Sequence, residues 1–155
     1  MNIKLKNSET RWVKVEDAEF KIDYPTIDQQ DEINELQYQL ALTQNTEIVK
    51  EEDETDESYS ERYLNAIQNL PVESRAKIET LGKNICRLYI RYSVKDWKNI
   101  NNENGEPVKC KIVNDAIEKN LFDKFIKDFT FLELLTFFNQ IKPKVEFTET
   151  DKKKL

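Results

Sequence analysis

VESRAKIETLGKNICRLYIRYS, residues 72–93, decides how the rest of the chain is read. Ile78, Leu81, Ile85, Leu88 and Tyr92 advance along it by three, four, three and four residues, which places five large side chains on one stripe of an α-helix. Pro71 ahead of it has the fixed φ suited to a first helical turn, and the Leu70-Pro71 pair ends whatever helix precedes it. Gly82 interrupts the run at a cost of about 1 kcal/mol relative to Ala, which close packing against another element would offset. A helix this long and this apolar on one side needs neighbours to cover it, and the flanking segments must supply them.

Upstream, Trp12-Val13-Lys14-Val15 and Phe20-Lys21-Ile22-Asp23-Tyr24 bracket Glu16-Asp17-Ala18-Glu19. Phe20, Ile22 and Tyr24 alternate with Lys21 and Asp23, the period of a half-buried strand, so residues 12–24 are predicted to form a β-hairpin. Pro25 cannot extend the ladder, and Thr26 with Gln29 has the form of a capping box. A helix is expected over 27–42, with Ile33, Leu36, Leu40 and Ala41 toward the core and Tyr38 off that stripe. From Glu47 to Glu57 seven acids face one base, and 44–57 is read as a flexible acidic linker. A short helix should run from Ser58 to about Asn69.

Downstream, Asn101 to Pro107 is rich in turn residues. Val108-Lys109-Cys110-Lys111-Ile112 then alternates and predicts a strand over 108–113 that pairs with the N-terminal hairpin. Asn114 or Asp115 should cap a helix that turns Ile117, Leu121, Phe122 and Phe125 inward. A last helix over 131–141 presents Phe131, Leu134, Leu135, Phe138 and Ile141 on one face, and Pro143 ends it. The tail, 144–155, closes in Lys152-Lys153-Lys154 and reads as disordered. The expected architecture is a single helix-dominated α+β domain over 1–155, with a small antiparallel sheet from hairpin 12–24 and strand 108–113 packed against four to five helices.

Composition narrows the chemistry. The 155 residues include 24 Lys and Arg, 30 Asp and Glu and no His, for a net charge of −6. Without His, catalytic triads and His-metal sites cannot be assembled, and two glycines cannot build a phosphate-binding loop or a dinucleotide fingerprint. The expectation is a non-enzymatic protein with no cofactor and no metal. Cys86 and Cys110 lack the short spacing of zinc ligands and read as free thiols in a reducing cytoplasm. No apolar run is long enough for a membrane span or a secretory leader.

Three surfaces are candidates for binding. Glu51, Glu52, Asp53, Glu54, Asp56 and Glu57 form the densest acidic cluster, whose simplest reading is a solvated charge run. Lys83, Arg87 and Arg91 step by four along the face opposite the 72–93 stripe, although the acidic balance of the chain argues against nucleic acid as their ligand. The aromatic-rich C-terminal segment is mostly core material, yet its last helix is apolar around more than one face. Trp97, Phe131, Leu134, Leu135 and Phe138 are therefore the expected anchors for a protein partner.

Two segments carry a family resemblance. Trp12-Val13-x-Val15 with Phe20-Lys21-Ile22-x-Tyr24-Pro25-Thr26 resembles the opening of small tailed-phage proteins encoded beside the major tail protein. Trp97-Lys98-Asn99-Ile100 leading to Asn104-Gly105-Glu106-Pro107-Val108 is similar to their Trp, short gap, Asn-Gly-x-Pro element ahead of two C-terminal helices. Spanning roughly residues 11–141, the resemblance points to the tail assembly chaperones, which hold the tape measure protein during tail polymerisation. It implies a virion assembly factor in the host cytoplasm, binding a phage structural component or a second copy of itself. The acidic run supports an alternative, a phage-encoded inhibitor that places carboxylates where a host defence nuclease expects phosphates, as an anti-CRISPR protein of the nucleic-acid-mimic kind would.

Overall fold

A computed structural model of the chain describes residues 10–44 and 48–143. Strands β1 (Arg11–Val15) and β2 (Ala18–Ile22) form the expected hairpin, turning at Glu16 with a φ of 54°. Three helices follow: α1 (Ile27–Thr43), α2 (Asp56–Gln68) and α3 (Val72–Ser93). Strand β3 (Val94–Lys98) continues directly from α3, β4 (Ile112–Val113) and β5 (Ala116–Ile117) make a small hairpin, and α4 (Lys119–Ile126) and α5 (Phe131–Ile141) complete the chain. The result is a helix-dominated α+β fold, as expected, with a three-stranded antiparallel sheet ordered β1-β2-β3. No helix among the described residues is long and apolar enough to cross a membrane.

The third strand is not the predicted one. Segment 94–98 pairs with β2, setting Phe20 against Trp97 and Ile22 against Val94. The register shifts between Lys21 and Ile22, so Val94 and Trp97, three residues apart, both point into the core. A bulge of this kind erases the alternation by which a strand is recognised. Val108–Lys111, by contrast, folds back on its own loop: the Val108 N–H donates to the Ile100 carbonyl, and Asn101 bridges Pro107. The rest of the predicted strand, Ile112 and Val113, pairs with β5 through Asn114 and Asp115, both at positive φ, the conformation these residue types tolerate best. Neither therefore caps α4. Glu118 does, accepting from the Asn120 and Leu121 N–H groups, and these bonds hold its carboxyl below the usual carboxylate range.

Helix α3 is the centre. Ile78, Leu81, Ile85 and Tyr92 are buried as expected, but so are Cys86, Tyr89, Ile90 and Ser93, because α1 and α5 both pack on it. Thr26 caps α1 in the predicted capping box, and Ile33, Leu36 and Leu40 line its inner side, whereas Ala41 is exposed. The main core joins Phe20, Ile33, Ile90, Val94, Trp97, Phe122, Leu134 and Phe137. Its aromatic rings meet edge-on or tilted, Phe20 and Phe137 with centroids 4.8 Å apart and Trp97 and Phe125 at 5.1 Å. A smaller cluster of Ile67, Ile78 and Phe131 lies under α2. Residues 45–47 of the expected linker and the expected disordered tail, 144–155, lie outside the described residues.

Gly82 explains itself here. A Cβ built on it would stand 2.6 Å from Cζ of Phe131, so the missing side chain is what makes room for the Phe131 ring of α5 against α3. Gly82→Val is expected to cost about 1–3 kcal/mol of unfolding free energy, the usual range for overpacking. In a Phe131→Ala background the same substitution should cost little, and a double-mutant cycle by urea denaturation measures the difference. Equal costs in the two backgrounds would contradict the close approach.

Candidate functional site

The acidic run is only partly free. Thr55 caps α2 by accepting from the Ser58 N–H, so the helix starts at Asp56, two residues earlier than expected, with Asp56 and Glu57 in a first turn that favours negative charge. Glu54 takes a two-pronged contact from Arg62, Nη2 to Oε1 at 2.7 Å and Nε to Oε2 at 3.0 Å, and Arg62 also donates to the Val49 carbonyl. Asp56 pairs with Lys50, and the Tyr59 hydroxyl donates to the Ile48 carbonyl. These bonds tie residues 48–56 to α2. Glu51, Glu52, Asp53 and Glu57 remain as exposed carboxylates.

The basic stripe divides. Lys83 pairs with Glu79 on its own helix at 3.1 Å. Arg87 and Arg91 instead overlook a groove of about 480 Å³ between α3 and α4. Leu36, Leu88, Phe122 and Ile126 make its floor, and Asn84, Lys119, Asp123 and Lys127 complete its lining. Lys119 is matched by Asp123 at 2.9 Å, and Arg91 donates through Nε to the Ile117 carbonyl. Arg87, Arg91 and Lys127 are in no ion pair among the described residues.

The expected partner anchors lie largely inside. Trp97 is 6% exposed with its indole N–H on the Val108 carbonyl at 2.7 Å, Phe131 is 8% exposed and Leu134 is fully buried. These three are core residues, which corrects their reading as a surface. Trp97 and Leu134 belong to the main core, whereas Phe131 is covered by α2, which lies over α5 with the buried Asn139 amide donating to the Ser60 hydroxyl at 3.1 Å. Leu135 and Phe138 are half-buried and line a cavity of about 280 Å³ with Tyr59, Tyr63 and Cys86. Burial pushes the Cys86 and Cys110 thiols up to about 12, so neither is an activated nucleophile, and both are free. Among the described residues, no group of three or more Cys, Asp or Glu side chains is placed to hold a metal ion.

Three exposed apolar residues share the outer side of α1, while Trp12, Tyr24, Val49, Val72, Ile112 and Val113 are exposed elsewhere on the fold. Ile27 is 82% exposed, Tyr38 62% and Leu42 67%. With Asp31 and Glu35, also exposed, they advance by four, four, three and four residues along one ridge opposite Ile33, Leu36 and Leu40. All four charged residues of α1 are acids: Asp28, Asp31, Glu32 and Glu35. A second helical stripe was therefore present in the sequence, marked by the same spacing that located the first.

Compared with protein-family models, curated proteins and solved structures, the chain matches none.

The Glu54–Arg62 contact yields a pH signature. Arg62 holds the Glu54 carboxyl at about 2 against an ordinary 4.5, so its ionised form is favoured by folding. The resulting stabilisation is complete above about pH 4.5 and is lost as pH falls through about 2, and being at the surface it is also screened by salt. The urea midpoint should accordingly fall more steeply between pH 5 and 2 in the wild type than in Glu54→Gln. Parallel curves would show that the contact does not form in solution.

Proposed function

We propose that this protein is a non-enzymatic phage assembly factor, acting as tail assembly chaperones do, that holds a protein partner on an apolar helical surface. The observation that carries the reading is the outer ridge of α1. Three large apolar side chains stand there in water on a helix whose inner side is already satisfied by the core. They share that line with the exposed acids Asp31 and Glu35, so a partner helix laid along it would meet both apolar and charged contacts. The resemblance of segments 12–26 and 97–108 to small tail proteins supplies the partner class, a long tape-measure-like component. The ridge on α1 takes the place of Trp97, Phe131 and Leu134, whose burial commits them to the fold.

Inhibition of a host nuclease by acidic mimicry is the weaker reading, because Glu54 and Asp56 are already neutralised by Arg62 and Lys50. Salt separates the two: an apolar interface survives about 0.5 M salt, whereas a carboxylate mimic is largely screened at that ionic strength.

The test is co-expression with the tape measure protein encoded in the same genome, followed by size-exclusion chromatography at 0.5 M salt. A soluble complex is expected, lost in Tyr38→Asp/Leu42→Asp while the variant keeps its helicity and its stability within about 0.5 kcal/mol, as exposed sites do. Leu135→Asp/Phe138→Asp should instead lose helicity. A complex that forms unchanged with the α1 variant, or no complex at all, would refute the proposal.

A further inference from the structure

The ridge on α1 has a complement on the same chain. The α3–α4 groove is apolar at its floor, and its rim carries Arg87, Arg91 and Lys127 beside the mutually paired Lys119 and Asp123, in a protein whose net charge is −6. Two of its rim cations, Arg87 and Arg91, lie four residues apart on α3, and two acids of the ridge, Asp31 and Glu35, lie four residues apart on α1. A four-residue step is one helical turn, about 6 Å along the axis, so a helix laid beside α3 would bring two carboxylates to two guanidinium groups at matching intervals. Arginine favours this pairing, since its planar fork can hold a carboxylate through two hydrogen bonds. With Asp31 at Arg91 and Glu35 at Arg87, Tyr38 would fall about one turn further along α3, at the level of Asn84 in the groove lining.

We infer that the outer ridge of α1 on one copy docks in the α3–α4 groove of another, so that the chain self-associates ridge to groove. The inference rests on reading the α1 ridge as the binding face. Ridge and groove are different surfaces: Leu36, on the inner side of α1, lines the groove of its own copy, while Asp31, Glu35 and Tyr38 face away. The contact joins two unlike surfaces, so two copies either exchange ridge and groove reciprocally as a twofold pair or leave one free ridge and one free groove at each addition and build open chains or rings. A nucleic-acid strand fits the groove less well, because Phe122, the aromatic residue in its lining, is itself 3% exposed and offers no face for base stacking.

Sedimentation velocity of the full chain tests this at micromolar to submillimolar concentration in 0.05 M and 0.5 M NaCl. Species larger than the monomer should grow with concentration at low salt, and the association constant should fall about tenfold or more at high salt, where the Debye length is only a few ångströms. Arg87→Glu/Arg91→Glu and Asp31→Lys/Glu35→Lys should each be monomeric alone and should associate when mixed, because every ridge then finds an oppositely charged groove. Circular dichroism checks that both variants remain folded. A wild type that stays monomeric at low salt, association that survives in either variant alone, or folded variants that fail to associate on mixing, would overturn the inference. A fluorescein-labelled single-stranded oligonucleotide is the parallel probe: binding abolished by Arg87→Glu/Arg91→Glu, with the wild type monomeric, would assign the groove to phosphates and also overturn it. If the tape measure complex depends on Tyr38 and Leu42 while the wild type is monomeric, the self-association fails and the α1 reading stands.

Discussion

Helix α3 buries nine residues, from Ile78 to Ser93, over more of its circumference than one neighbour can cover. Each surrounding element is placed by the part of α3 that it shields. Helix α1 covers one flank through Ile33, Leu36 and Leu40, and α5 covers another, with the Phe131 ring lying against Gly82. The last turn of α3 runs without a break into β3, which carries Val94 and Trp97 into the same core and fixes where the N-terminal hairpin docks. Removing apolar area from water favours this arrangement by roughly 25 cal/mol per Å², so the widest apolar helix organises the others.

That constraint also decides which faces are left for partners. Once α5 is drawn against α3, its other side is capped by α2 through the Ser60–Asn139 pair, a buried polar contact whose members would be costly to leave unmatched. The aromatic C-terminal segment thus becomes interior on two sides. Among the described residues no second layer covers the outer side of α1, where Ile27, Tyr38 and Leu42 are exposed. The groove between α3 and α4 is another unfilled contour, and it gathers Arg87, Arg91 and Lys127 where the chain as a whole is acidic.

Helices were legible wherever a single stripe was strong. The 72–93 stripe, the Thr26–Gln29 capping box and the Leu70-Pro71 break all mark elements that form where expected. Strand β3 was not legible, because the bulge opposite Lys21 and Ile22 places two inward residues three apart and imitates a helix spacing. Segment 108–113 alternates well, but the Val108 hydrogen bond to Ile100 and the left-handed Asn114-Asp115 turn commit it to local pairing. The site was misplaced for a related reason. Periodicity shows that Phe131, Leu134 and Trp97 are apolar on a face, and it is silent about how many layers cover that face. On α1 the outward stripe was written at the same spacing as the inward one, and Tyr38, standing off the inner stripe, was the visible sign of it.

The division between a buried α5 and an exposed α1 ridge is best tested by hydroxyl-radical footprinting of the isolated protein, read residue by residue by mass spectrometry. Tyr38 and Leu42 should be oxidised at rates near those of the unfolded chain, while Trp97, Phe131 and Leu134 should be almost unmodified. Fast oxidation of Trp97 and Phe131 together with protection of Tyr38 would contradict both the packing around α3 and the surface assigned to α1.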